Sequence, residues 1–147
     1  MLNVIICEDD PTILATHRLI VKNYVKEHPE LAIHITLATA KPAEVETYLT
    51  YNTGQKNLYL LAISFPDSKT RGLKLATMIR KYDYQAQIIF ISDQLGLKKR
   101  AARQTGAWLD FIDQTTDTAS QQVRLHQDLC CLTICYPPCE RLTRLTS

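Results

Sequence analysis

Short apolar runs alternate along the chain with longer segments whose apolar residues recur at helical spacing. The runs are rich in β-branched residues and too short for helices, which is typical of strands buried on both faces. The pattern predicts five strands, at residues 2–7, 31–38, 57–64, 86–92 and 107–112.

The segments between the runs carry the signals of helices. Asp10 is placed to cap a helix that begins at Pro11, and Pro29 closes that segment. Further helices are predicted over 41–52, around 73–82, over 95–106 and over 115–132. Strands that alternate with helices in this way predict an α/β fold, with a doubly wound five-stranded parallel sheet covered by helices on both faces.

The regular pattern ends near Leu132. We therefore expect one domain over residues 1–132 and an irregular tail over 133–147, which contains two adjacent prolines. Four of the five cysteines fall at positions 130–139, and the odd total favours free thiols. A zinc site built from this cluster and His126 is disfavoured, because the prolines interrupt the helix and no second ligand pair occurs elsewhere.

Composition and charge point away from several functional classes. The net charge of +2 gives no argument for a nucleic-acid or membrane partner. No apolar run approaches the roughly 18 residues of a membrane-spanning helix, and the N-terminus turns acidic where a signal peptide stays apolar. We therefore expect a cytoplasmic protein. The four histidines are scattered singly, so we do not expect an enzyme.

The candidate chemistry lies at the ends of the first and third predicted strands, which are neighbours in such a sheet. Glu8, Asp9 and Asp10 follow the first strand, and clustered carboxylates are suitable ligands for Mg²⁺. Alternatively, Asp10 only caps the helix while Glu8 and Asp9 stay solvated. The third strand ends in Ala62 and Ser64, with nothing that ionises at neutral pH.

Four separated segments resemble one protein family. They read "VIICEDDP", "LYLLAISFPDSKTRGLKLATMIRKYD", "IIFIS" and "AWLDFI". In order and spacing they are similar to the receiver domains of two-component response regulators, and most of all to the Agr/LytTR quorum-sensing class. The resemblance covers about residues 1–114. It implies a flavodoxin-like (CheY-like) fold with strand order 2-1-3-4-5 and a role in phosphorelay signal transduction.

The resemblance assigns the metal and switch positions. The acidic pair that holds Mg²⁺ falls on Glu8 and Asp9, and the residue that lends a backbone carbonyl to the metal falls on Ser64. The hydroxyl at the end of the fourth strand falls on Ser92, and the switch aromatic falls on Phe111.

The resemblance also shows which chemistry is missing. The phosphoacceptor aspartate falls on Ala62, and the lysine that pairs with the phosphoryl group falls on Gln114. Alanine is neither a nucleophile nor a metal ligand, and glutamine supplies no positive charge. We therefore expect a degenerate receiver that needs no cofactor and retains at most weak Mg²⁺ binding. Asp67, in the following loop, is the first residue to consider as a substitute ligand.

A basic segment is the candidate partner surface. Lys98, Lys99, Arg100 and Arg103 lie on the fourth predicted helix. In receivers, the fourth helix, fifth strand and fifth helix commonly form dimer and output contacts, so this face is expected to bind a response regulator, a histidine kinase or a second copy. A purely solvated face and a phosphate-contacting face remain open alternatives. Trp108 is expected to pack at a strand edge.

The leading hypothesis is a pseudo-receiver that cannot be phosphorylated and that acts by protein–protein contact. Two alternatives stay open: a truncated, non-functional remnant of a LytTR-type regulator, and a small metal- or ligand-binding flavodoxin-like domain. About 15 residues follow the fifth predicted helix, too few for the DNA-binding domain of that class, so sequence-specific DNA binding is not expected.

Overall fold

The strands form one parallel sheet in the predicted order, β2-β1-β3-β4-β5, in a computed structural model that describes residues 1–133. The strands are β1 (Leu2–Cys7), β2 (Ile33–Thr39), β3 (Asn57–Leu61), β4 (Gln87–Ser92) and β5 (Asp110–Asp113). The doubly wound α/β fold expected from the sequence is confirmed. The predicted tail, with Cys135 and Cys139, lies outside the described residues except for its first residue, Thr133, which ends the last helix.

Five α-helices connect and follow the strands. They are α1 (Pro11–Glu27), α2 (Pro42–Tyr51), α3 (Arg71–Tyr82), α4 (Lys98–Thr105) and α5 (Thr118–Thr133). The predicted cap of α1 is confirmed, because the Asp10 carboxylate accepts hydrogen bonds from the backbone N–H groups of Thr12 and Ile13 at 2.9 and 3.1 Å. This bond holds the start of α1 against the end of β1.

The two faces of the sheet carry separate hydrophobic cores. On one face, Ile5 and Cys7 of β1 pack with residues from α2, α3 and α4. On the other face, Val4 and Ile6 pack with residues from α1 and α5. Because side chains alternate across a strand, both cores need apolar residues at successive positions, and every residue of β1 is buried.

The third strand is shorter than predicted, since β3 ends at Leu61 rather than at residue 64. The backbone N–H of Ala62 still donates to the carbonyl of Cys7 at 3.0 Å, but the Ile63 carbonyl accepts from the N–H of Gly72 at 2.8 Å. A Cβ atom at Gly72 would lie 1.9 Å from the Ala62 carbonyl oxygen. The chain therefore leaves the sheet to pack against the start of α3, and only glycine allows that approach.

The last strand was predicted too early, since β5 starts at Asp110 rather than at residue 107. The carbonyl of Ala107 accepts hydrogen bonds from the side chains of Arg80 and Thr105, at 3.2 Å each, and so is satisfied without a strand partner. Residues 95–97, predicted as the start of the fourth helix, form a 3-10 turn. The predicted start of α5 was also early, because Asp113 binds Thr115 and Thr116 in a turn.

The described part of the C-terminal cysteine cluster does not support a zinc site through His126, whose Nε2 lies 3.0 Å from the Ile20 carbonyl oxygen. The expectation of free thiols is wrong for Cys131, which is disulfide-bonded. Within residues 1–133, no helix is both long enough and apolar enough to cross a membrane.

Candidate functional site

A cavity of about 370 Å³ lies at the carboxyl ends of the central strands. Its lining comes from the ends of β1, β3, β4 and β5: Glu8, Asp9, Asp10, Ile13, Ala62, Ile63, Ser64, Phe65, Pro66, Ile91, Ser92, Asp93 and Gln114. Seven of the residues singled out in the sequence are therefore brought together. Phe111 and the basic residues of α4 lie outside this lining.

Strand register sets the positions of these side chains. Cys7 pairs with Leu61, so Glu8 and Ala62 follow neighbouring strands at the same level of the sheet. Ser92 pairs with Asp113, and the N–H of Gln114 donates to the Ser92 carbonyl at 3.0 Å. The site is thus built from the residues that come next after paired strand ends, where an open α/β sheet presents its binding crevice.

Glu8 is the most buried carboxylate of the cavity, with 7% of its surface exposed. Its Oε1 accepts one long hydrogen bond, 3.3 Å from the N–H of Asp10. Burial raises the pKa of Glu8 to about 7, and the nearby charges of Asp9, Asp10 and Asp93 act in the same direction. The alternative that Glu8 is simply solvated is therefore wrong, whereas Asp9 is half-buried and Asp10 caps α1.

The donors at this cavity do not form a receiver-type magnesium site. Ala62, 6% exposed, places a methyl group at the position where the resemblance predicts a third carboxylate. Among residues 1–133 there is no group of three His, Cys, Asp or Glu side chains arranged to hold a metal ion. Weak Mg²⁺ binding through Glu8, Asp9 and the Ser64 carbonyl stays a prediction.

Asp67 does not replace the missing carboxylate. Its side chain is 70% exposed, lies 3.9 Å from Nε of Arg71 and is not part of the cavity lining. Asp93, in contrast, lines the cavity and was missed in the sequence. Its position directly after Ser92, at the end of a predicted strand, is the signal that would have identified it.

Gln114 takes part in a buried polar cluster. The side-chain N–H₂ of Gln121 donates to the backbone carbonyls of Gln114 and Thr116 at 3.2 and 2.9 Å, and its Oε1 lies 3.3 Å from Nε2 of His17. Burial lowers the pKa of His17, with the Gln121 and Gln114 side chains opposing this effect. A neutral network therefore surrounds Gln114, the position that the resemblance assigns to a lysine. Nothing in the sequence analysis singled out His17 for this cluster.

The remaining switch positions are both buried. The Ser92 hydroxyl accepts a hydrogen bond from the N–H of Gln94 at 2.9 Å. Phe111 is 2% exposed and packs between Phe90 and Trp108, with ring centroids 5.7 and 5.9 Å away. Trp108 thus packs just before the edge strand β5, close to the expected position.

The predicted basic surface is exposed on α4. Lys98, Lys99, Arg100 and Arg103 are all exposed, and none forms an ion pair within the described part of the chain. The Lys98 ammonium lies 5.7 Å from the centre of the Phe111 ring. This contact joins the basic surface to the strand that carries the switch position.

Comparison with known proteins extends these observations. The chain is 33% identical over 111 residues to accessory gene regulator protein A of Staphylococcus aureus strain N315. The same identity is found with the protein of strain MW2. The chain is homologous to accessory gene regulator A. The match covers 76% of this chain and 45% of the relative, so it spans less than half of the relatives' length.

Solved structures identify the fold as that of a response-regulator receiver domain. The response regulatory domain of mrkE from Klebsiella pneumoniae has a TM-score of 0.67 and 20% identity, covering 86% of this chain and 93% of that one. A CheY-like receiver from Methanospirillum hungatei has a TM-score of 0.66 and 18% identity, covering 88% and 94%. TrrA from Thermotoga maritima, solved with Mg²⁺ and beryllofluoride, has a TM-score of 0.59 and 18% identity, covering 87% and 99%. No protein-family model matches the chain.

The burial of Glu8 predicts a pH-dependent stability. With a pKa of about 7 when folded and 4.5 as its ordinary value, Glu8 keeps its proton in the folded state and loses it in the unfolded state across that interval. Wild-type stability should therefore fall as pH rises from 4.5 to 7. Glu8→Gln should remove this loss and be more stable than wild type above pH 7, by up to about 3 kcal/mol.

Urea unfolding at several pH values, followed by Trp108 fluorescence, measures this difference. Glu30→Gln, at an exposed carboxylate, is the matched control and should change stability by less than about 0.5 kcal/mol at every pH. If the stability of Glu8→Gln and of wild type depends on pH in the same way, burial does not raise the pKa of Glu8.

Proposed function

We propose that this chain is a receiver-type signalling module that does not accept a phosphoryl group and works through contact with another protein of a two-component pathway. The observation that carries the proposal is the Ala62 methyl group at the third-strand position of the cavity, beside Glu8, Ser92 and Gln114. The proposed module is cytoplasmic, is not an enzyme and needs no cofactor.

The chemistry of the cavity supports the loss of phosphotransfer. An acceptor must supply an oxygen nucleophile, and the developing charge on the phosphoryl oxygens must be neutralised. Ala62 has no such oxygen, and the neutral Gln114 supplies no charge. The Glu8 carboxyl holds its proton for part of the time near neutral pH, which weakens it as a nucleophile and as a cation ligand. The hydroxyl of Ser92 has a backbone partner.

The exposed face of α4 and β5 supports a role in protein contact. Four cations on α4 have no ion-pair partner within residues 1–133, and Lys98 covers the ring of Phe111. The proposed partner is an intact response regulator or a histidine kinase, and a homodimer through α4, β5 and α5 would use the same face. Occupying this face would bias the phosphorelay without phosphorylation of the module.

The loss of the acceptor is tested by intact-mass spectrometry after incubation with Mg²⁺ and acetyl phosphate. The wild-type chain should gain no phosphoryl group. The double variant Ala62→Asp/Gln114→Lys restores the nucleophile and the cation on the same backbone, and it should gain one. The matched control Ala62→Asn/Gln114→Lys has the shape of the restored site without the nucleophile and should gain none.

Two outcomes would contradict this part of the proposal. A phosphoryl adduct on the wild-type chain would mean that another residue serves as acceptor. A double variant that folds but stays unmodified would mean that Ala62 and Gln114 are not the cause of the loss.

Protein contact is tested by biolayer interferometry against the purified sensor kinase and the intact regulator of the same source. The triple charge reversal Lys98→Glu/Lys99→Glu/Arg100→Glu should weaken binding at least about tenfold, because it replaces attraction by repulsion at the interface. The control Lys22→Glu/Lys26→Glu changes exposed lysines on α1 and should leave binding within about twofold. Absence of wild-type binding to both proteins, or equal binding by the triple variant, would contradict the contact proposal.

A further inference from the structure

A second cavity lies at the opposite end of the strands from the candidate site. Its volume is about 590 Å³, and it lies between the end of α3 and the start of β5. We call it the Arg80 groove; its main lining residues are Arg80, Tyr84, Thr105, Ala107, Trp108 and Leu109. Because it lies at the amino-terminal ends of β4 and β5, it is separate from the acidic cavity at the carboxyl ends.

The floor of the groove holds a cation without an anionic partner. The Arg80 guanidinium donates to the carbonyls of Thr105 and Ala86 at 2.8 Å each, to that of Ala107 at 3.2 Å, and to that of Tyr84. These four acceptors are neutral, and no carboxylate of residues 1–133 lies within ion-pair distance of Arg80. Arg80 is thus held in place by neutral acceptors and forms no ion pair among the described residues.

The nearest candidate counter-charge is already engaged. Burial lowers the pKa of Arg80, and the negative charge of Asp83 acts in the opposite direction. Its carboxylate is 5% exposed and accepts a hydrogen bond from the Asn57 side chain at 2.9 Å. A half-buried guanidinium in this position favours an anionic group brought from outside the chain.

Further cations lie on the two helices that end at the groove. Lys81 follows the lining residue Arg80 at the end of α3, and Arg103 precedes the lining residue Thr105 near the end of α4. Both side chains are exposed. Residues 69–109 contain nine of the 17 lysines and arginines but two of the 15 acidic residues. One of these two acids, Asp83, is buried, and the other, Asp93, lies at the opposite cavity.

The groove also provides apolar contact. Trp108 is half-buried, Leu109 and Ala86 are buried, and Tyr84 is 72% exposed at the rim. The Trp108 ring packs edge-on against Phe111, and its N–H points to the Lys98 carbonyl at 3.5 Å, so it is not an open platform for a nucleic-acid base. Aromatic and arginine side chains around an apolar depression are typical of protein-binding sites.

We propose that the Arg80 groove docks an acidic segment of a partner protein, with an apolar side chain seated between Tyr84 and Trp108 and carboxylates facing Arg80, Lys81 and Arg103. This site adjoins the α4–β5–α5 face, with which it shares Arg103, and it does not depend on whether the chain can be phosphorylated.

The single tryptophan of the chain makes the groove directly observable. The probe is a short synthetic peptide in which glutamates flank a central leucine, titrated into the full-length chain while Trp108 fluorescence is recorded. We expect a saturable change with a Kd below about 1 mM, the range of a short peptide on a small site. The same peptide with glutamine in place of glutamate should bind at least about tenfold more weakly.

Variants locate the binding without disturbing the fold. Arg103→Glu and Tyr84→Ser change exposed side chains and should each weaken binding about fivefold to tenfold. Lys22→Glu on α1 is the matched charge control and should leave the Kd within about twofold. Arg80 itself is not changed, because its four backbone contacts make it part of the fold.

Three outcomes would overturn the proposal: no saturable fluorescence change, equal binding of the glutamine peptide, and equal weakening by Lys22→Glu. A charge-matched single-stranded oligonucleotide is titrated in parallel. If the oligonucleotide changes Trp108 fluorescence, binds more tightly than the peptide and displaces it, the groove binds nucleic acid and the protein-docking proposal is wrong.

Discussion

The inner strand β1 is bonded to β2 on one edge and to β3 on the other, and both of its faces are buried under helices. This constraint fixes the rest of the molecule. Because β1 is paired in fixed register with both neighbouring strands, the residues that follow β1 and β3 lie side by side. Glu8 and Ala62 therefore meet at one cavity whatever their chemistry. On the proposed assignment of Ala62, the geometry of a receiver site is retained without its acceptor.

This geometry brings carboxylates close together, which is electrostatically unfavourable. Glu8 remains in a cavity with Asp9, Asp10 and Asp93, while the facing positions are a methyl group and a neutral amide. Neither a metal cluster nor a lysine balances these carboxylates within the described residues. The folded chain responds by raising the pKa of Glu8. The buried network of His17, Gln114 and Gln121 holds the loop after β5 against α1. It does so through hydrogen bonds between neutral groups and not through an ion pair.

The two ends of the sheet thus differ in character. The carboxyl end carries four carboxylates at its cavity, where the proposal is that phosphoryl transfer is lost. The amino end has a guanidinium fixed by four carbonyls at a groove, with Lys81 and Arg103 exposed on the two helices that end there. For the proposed contact module, this end and the α4 face offer the positive charge that guides association with an acidic partner.

The strand and helix pattern was sufficient to predict the fold, because buried parallel strands must be apolar at every position and helices must be apolar on one stripe. The ends of β3 and β5 were not predictable in the same way. They depend on Gly72 approaching the backbone of Ala62 and on Arg80 binding the Ala107 carbonyl, contacts between residues distant in sequence. The site positions came from the resemblance, whereas Asp93 and the groove required the three-dimensional arrangement.

The central claim is that a receiver scaffold is retained here without a phosphoryl-binding site. The most direct measurement is ¹⁹F NMR of the full chain with Mg²⁺ and beryllofluoride, a phosphoryl mimic that needs both a carboxylate acceptor and a metal ion. The account predicts only the signals of free fluoroberyllate species. Protein-bound fluorine signals on the wild-type chain would contradict it, because they would require an acceptor and a bound cation at the cavity.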